Sequence, residues 1–198
     1  MNDSLLHDYL ARIGRVAKKH SKEIEVVLYS PASPELLTLL ETYMDRPLAK
    51  SQGDFLQRYN GMLINIADLY TFEVYGAARI IRQTEDLRNY LDLLGDGSPP
   101  YGRENVRRFF DIADIFGGVD DRIVYDVGCP TEEGEYRVFC AGMADYHPWL
   151  VAPPNPRDTD FISDSFAVFI EQALRHMIET ERGFAYWSRD LDLDLWDQ

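Results

Sequence analysis

The amino-acid sequence predicts a single-domain α+β protein, and three observations lead there. Its 198 residues suit one domain with extensions better than two. Apolar side chains make up 45% and aromatics 13%, enough to build a sizeable core and to exclude disorder of the whole chain. Apolar positions recur with helical spacing near both ends of the chain and with strand-like character between them.

Residues 4–20 place Leu5, Leu6, Tyr9, Leu10, Ile13, Val16 and Ala17 on one stripe, with Ser4 as a candidate cap and Lys18, Lys19 and His20 at the negative end of the helix. Glu23–Tyr29, with Ile24, Val26, Val27 and Leu28, reads as a short strand that Pro31 ends. Ser33-Pro34-Glu35 opens a helix with a capping serine and a proline at the first helical position. That helix carries Leu36, Leu37, Leu39, Leu40 and Tyr43 and stops near Pro47. A second start at Ser51, with Asp54 in a capping-box position, predicts a short helix presenting Phe55, Leu56 and Tyr59 and ending at Asn60-Gly61.

Leu69–Tyr75 reads as a strand and residues 84–94, with Leu87, Tyr90, Leu91 and Leu94, as a helix. Gly95–Gly102 is the strongest loop signal and is expected to be a surface excursion. Phe109–Ile115, Arg122–Val127 and Glu135–Cys140 should form an antiparallel meander, turned by Gly117-Gly118 and by Thr131–Gly134. Pro148–Pro156 is an extended connection before a long helix over Ser163–Glu181, on which Glu171 and Arg175 can pair. The tail alternates acid and leucine from Asp190 to Asp197, as an edge strand or an arm.

Charge narrows the partners. The net charge is −14; residues 1–50 hold 7 basic and 7 acidic side chains, and the rest holds 13 against 27. Such a field repels nucleic acid and anionic lipid and attracts cations, although solubility alone accounts for acidity in many proteins. No run of about eighteen uncharged apolar residues crosses a membrane, and Met1–Leu10, with Asp3 and Asp8, is not a signal peptide. Two cysteines, Cys129 and Cys140, agree with a reducing cytoplasm and are not expected to pair.

The common catalytic signatures do not occur. There is no Gly-x-Ser-x-Gly elbow and no phosphate-binding loop, and Gly95-x-Gly97 lacks the lysine and helix such a loop needs. The histidines, His7, His20, His147 and His176, lack the spacing of zinc ligands. Asp190, Asp192 and Asp194 open like a calcium loop, but Leu195 stands where glycine is needed and the chain ends before the bidentate glutamate. The acids Asp120, Asp121, Asp126, Glu132, Glu133 and Glu135 read as a solvated hairpin face more readily than as a weak divalent-ion site. No cofactor, metal or catalytic residue is expected. An enzyme with an unrecognised site is the third reading, since sequence spacing cannot see convergent sites.

The order of elements resembles the SUKH superfamily. The helix opening Ser33-Pro34-Glu35, then Pro47-Leu48, then Phe55-Leu56-Gln57-Arg58-Tyr59-Asn60-Gly61 is similar to that family's proline-initiated helix, leucine-proline turn and "FLxxYNG" helix end. Leu69–Glu73 looks like the following strand, Ile112-Ala113-Asp114 with Gly117-Gly118 and Ile123–Asp126 like the central pair, and Tyr136–Phe139 and Ile162–Ile170 like the last strand and helix. Trp149 is a candidate for a tryptophan often found near the family's last strands. The resemblance covers roughly residues 33–180 and divides the chain into an N-terminal helix-and-strand extension (1–30), a SUKH-like domain (31–182) and an acidic tail (183–198). It implies a mixed, mostly antiparallel sheet flanked by helices. It also implies a non-catalytic immunity protein that neutralises a polymorphic toxin by direct binding or, as in fungal relatives, a regulatory scaffold.

Many such toxins are nucleases or deaminases with basic active surfaces, so an acidic cytoplasmic binder, monomeric or weakly dimeric, would compete for that surface. The candidate contacts are Asp120, Asp121, Glu132, Glu133 and Glu135, with Tyr101, Tyr125 and Tyr146 as aromatic anchors.

Overall fold

The computed structural model describes residues 2–66, 70–94, 107–115, 121–142 and 161–179. The helix α1 (Asp3–Lys19) leads into β1 (Ile24–Leu28), followed by α2 (Pro34–Met44), α3 (Lys50–Leu56), β2 (Met62–Ile66) and β3 (Tyr70–Val74). Then come α4 (Ala77–Leu94), β4 (Phe109–Ile115), β5 (Asp121–Pro130), β6 (Tyr136–Gly142), β7 (Phe161–Ser163) and a last helix, α5 (Phe166–Glu179). The strands form one seven-stranded sheet in the order β1-β2-β3-β4-β5-β6-β7. Every ladder among the described residues is antiparallel, so the mostly antiparallel sheet expected is a meander with no parallel pair among them.

The predicted α+β class holds, and most elements fall where the apolar periodicity places them. Two strands were not foreseen, β2 and the three-residue β7, and α4 begins seven residues before the predicted start at 84. The N-terminal segment is no appendage. β1 pairs along its length with β2, and Leu6, Tyr9, Leu10, Ile13 and Ala17 of α1 lie in the same core as Phe72, Val74 and Tyr125. Tyr9 also donates to Glu171 of α5 at 3.3 Å.

The main core occupies one face of the sheet. Register places Phe72, Val74, Ala113, Ile123 and Tyr125 on that face, and α5 covers it through Phe169 on Phe72 and Phe166 on Tyr125. Phe55 of α3 packs edge-on against Phe166. On the opposite face, α4 lies against Glu73, Asp111 and Arg122 through Arg79, Thr84 and Gln83. The salt bridge predicted at four-residue spacing, Arg175 to Glu171, forms at 2.6 Å.

Caps explain the helix starts. Ser33 caps α2 by accepting from Leu36 N–H, as predicted. For α1 the cap is Asn2, which accepts from Leu5 N–H at 2.8 Å, two residues before the Ser4 expected. No side chain caps α3 in cis, and Ala49 stands at its cap position. Instead the carboxylate of Glu135 accepts from both the N–H and the hydroxyl of Ser51, an anion set at the positive end of the helix.

The Asn60-Gly61 pair joins two parts of the chain. Asn60 Oδ1 accepts from Ala77 N–H at 2.8 Å and so caps α4 from 17 residues away. Gly61 has φ +105, and a Cβ there would meet the Val74 carbonyl at 2.8 Å. Asn60→Ala is expected to lower unfolding free energy by about 1 kcal/mol, the usual worth of a helix cap. Gly61→Ala should cost more, since it adds backbone strain to a clash. Urea titration of the two variants checks that order.

Candidate anion cleft and the buried ion pairs

The predicted contact residues that the structure describes lie far apart along β5 and its turn or are committed elsewhere. Glu132 and Glu133 are exposed on the β5–β6 turn, while Asp121 begins β5 opposite Gly142. That strand separates them by roughly 30 Å at 3.3 Å per residue. Glu135 is half-buried and committed to Ser51. Tyr125 is a correction: its ring is 0% exposed between Tyr136 and Phe166, so it anchors the core and offers nothing to a partner. Asp120, Tyr101 and Tyr146 lie outside the described residues. Asp126, read as part of a solvated acidic face, is 1% exposed and paired with Arg108.

The cysteines follow the register. Cys140 stands opposite Ile123, six residues from Cys129. That is roughly 20 Å along the strand and beyond disulfide reach. Among the described residues, no group of three His, Cys, Asp or Glu side chains is placed to hold a metal ion. Within the same residues, no helix is long and apolar enough to cross a membrane.

Beneath α4 lies a buried charged network that sequence alternation hides. The β4–β5 register shifts between Asp111 and Ala113, setting Asp111 opposite Val124 and Asp114 opposite Arg122. The bulge therefore puts both acids on one face, where strict alternation would separate them. Arg122 donates to Asp111 Oδ2 at 2.8 Å and to Gln83 Oε1 at 2.9 Å, and Arg79 pairs with Glu73. Arg79 also stacks on the Tyr75 ring, 4.5 Å from its centroid.

Burial pushes the Asp111 carboxyl up to about 7 against the pull of Arg122, and it raises Asp114 and Glu73 in the same way. A carboxyl titrating near neutrality has the pKa of a general acid. Asp111 has 0% exposure, however, so no solute reaches it in this conformation.

An accessible concavity lies elsewhere among the described residues. A cleft of about 490 Å³ opens between the C-terminal end of α2, the middle of α4, and the two arginines that lead into β4 with the facing part of β5. Asp45 takes the left-handed conformation that ends α2, and Arg46 follows at the rim. Arg88 of α4 lies over the rings of Tyr43 and Phe110, which themselves meet edge-to-face, at 5.0 and 4.9 Å from their centroids, and donates to the Arg107 carbonyl at 3.3 Å. Arg108 forms the far wall, held bidentately by Asp126. Its guanidinium lies flat on Gly128, where a Cβ would meet Nε at 1.9 Å, which accounts for the glycine.

Sequence reading missed this site because its four arginines come from positions 46, 88, 107 and 108, on separate elements of an acidic chain. The Arg107-Arg108 pair was the one local signal. Among the described residues, no carboxylate comes within ion-pair distance of Arg88 or Arg107. Comparison with protein-family models and with curated proteins finds no match for the chain.

Proposed function

We propose that the protein is a non-catalytic binder that neutralises a basic toxin domain by direct contact, an immunity protein of the SUKH kind. The observation that carries this reading is where the acidity falls. Residues 1–50 hold 7 basic and 7 acidic side chains, and the rest of the chain holds 13 against 27. The acidic surplus therefore lies wholly after residue 50. Binding residues commonly sit on the connections of a rigid scaffold, and an acidic set of them suits a nuclease or deaminase surface.

The motif behind the resemblance supports the same division. Asn60 and Gly61 fasten α4 and β3 to the chain, so the "FLxxYNG" segment builds the scaffold and contact is left to other residues. Among the members of the predicted set whose exposure is described, Glu132 and Glu133 are exposed acids.

The test is whether the adjacent gene encodes a toxin domain and, with that domain co-expressed, whether the pair purifies together. Growth is expected to recover and a complex to form, with an association rate that falls about tenfold or more as salt rises through the range that screens charge. Absence of both rescue and complex would overturn the assignment. A salt-independent rate would remove its electrostatic part.

A further inference from the structure

We propose that the cleft between α2, α4 and β4 binds a small phosphorylated molecule, a phosphate monoester or diphosphate, through Arg46, Arg88 and Arg107. This site goes beyond the toxin-neutralising reading and does not depend on it.

Its composition runs against the chain. A protein of net charge −14 gathers four arginines at one concavity, where Asp45 is the one carboxylate among the described lining residues and Asp126 stands behind Arg108. Like charges brought together repel, and the repulsion is relieved when an anion enters. Arg108 is already neutralised by its bidentate carboxylate and serves as a wall. Arg46 donates to the Asp45 carbonyl at 2.9 Å, and its carboxylate contact among the described residues is one of 3.9 Å with the fully exposed Asp45 side chain. Arg88 and Arg107 have no carboxylate partner among the described residues.

The site is also prepared for a ligand. Two aromatic rings and the Arg107 carbonyl fix the plane of Arg88. Little side-chain freedom is therefore lost when it binds an anion.

The geometry favours phosphate over carboxylate. A carboxylate is planar and is saturated by one guanidinium fork. A phosphate ester presents three terminal oxygens in a tetrahedral array, which suits cations arriving from the end of α2, from α4 and from the turn that precedes β4. The volume is that of a small-molecule site, and Met44 and Val127 supply an apolar floor for an organic group. A nucleic acid would meet the repulsion of the whole acidic surface, whereas a short ester enters locally.

Titration calorimetry of the full chain with pyrophosphate, phenyl phosphate and citrate tests the assignment. Pyrophosphate and phenyl phosphate are expected to bind saturably in the sub-millimolar range, with citrate at least about tenfold weaker. Arg107→Gln and Arg46→Gln, at positions exposed to solvent, should each weaken phosphate binding about tenfold with no change in melting temperature. Arg88→Lys keeps the charge but loses the planar fork and the stacking, and should weaken binding as well.

The proposal is overturned if neither phosphate binds saturably, if citrate binds equally well, or if the Arg46 and Arg107 variants keep full affinity. Binding of a phosphoserine peptide without binding of phenyl phosphate or pyrophosphate would overturn the small-molecule assignment in favour of a protein ligand. Loss of phosphate binding leaves toxin rescue untouched, so the two readings fail separately.

Discussion

Asp126→Ala is expected to destabilise the fold by roughly 3–5 kcal/mol, the range for breaking one side of a buried ion pair. The carboxylate is 1% exposed and the Arg108 side chain 20%. Asp126 accepts from Arg108 Nε at 3.0 Å and from Nη2 at 2.9 and 2.7 Å, and its Oδ1 also accepts from Gly128 N–H at 2.8 Å. Alanine removes the charge that offsets desolvation of the guanidinium, and it takes the acceptor from the backbone at the same time.

Two companions separate the causes. Asp126→Asn keeps the shape and one acceptor and should lose about 1–3 kcal/mol. Arg108→Met combined with Asp126→Leu removes both charges and should recover most of the loss, because the desolvation cost of both ions disappears with their attraction. Urea unfolding with an unchanged slope is the measurement. A loss under about 1 kcal/mol for Asp126→Ala would mean that the pair contributes no more than a surface salt bridge. The same variant bears on the cleft, since Arg108 walls it and rests flat on Gly128.

The elements that could be read from the sequence are those whose signals are local. Ser33 followed by Pro34 announces α2, the Leu5-to-Ala17 stripe announces α1, and the short spacings from Phe109 to Cys140 announce the meander. Where the determinant lies far along the chain, the reading fails. The start of α4 is capped by Asn60, so nothing beside Ala77 marks it. Ser51 looks like a cap for α3, but its hydroxyl and N–H go to Glu135, 84 residues away, while Ala49 takes the cap position. That contact also withdraws Glu135 from the set of free acids.

Faces are harder to read than elements. Tyr125 was expected on a strand and is on one, but only pairing with Phe110 and packing under Phe166 show that it faces the core. The bulge at Ile112 reverses the face of every residue after it, and no local residue type announces it. The arginine cleft illustrates the same limit in charge: a net value of −14 averages away four cations that only the fold brings together.

That bulge leads to the second large effect, a dependence of stability on pH. Stability is expected to fall as pH rises from about 4 to about 7, by about 1.4 kcal/mol per unit through the steep part of the window. Asp111 is the main cause. It is 0% exposed, its Oδ1 has no hydrogen-bond partner among the described residues, and burial lifts its carboxyl to about 7. Over this window the unfolded chain has released the proton while the folded chain still holds it. The stabilisation is therefore complete below the ordinary aspartate value and is lost as pH passes through the folded one. Asp114 and Glu73 are raised by burial in the same sense and steepen the fall.

Arg79 and Arg122 oppose these shifts without reversing them, and Arg122 keeps Gln83 as a second acceptor when Asp111 is protonated. The structural bond at this position comes from the Asp111 backbone N–H to Thr84 Oγ1, so Asp111→Asn retains it. It also keeps an acceptor facing Arg122. In this variant the slope between about pH 5 and pH 7 should flatten, and at neutral pH its stability should equal or exceed that of the parent, because the asparagine needs no ionisation in an apolar site. Urea midpoints across the window decide the matter: an unchanged slope in Asp111→Asn would assign the titration to other groups.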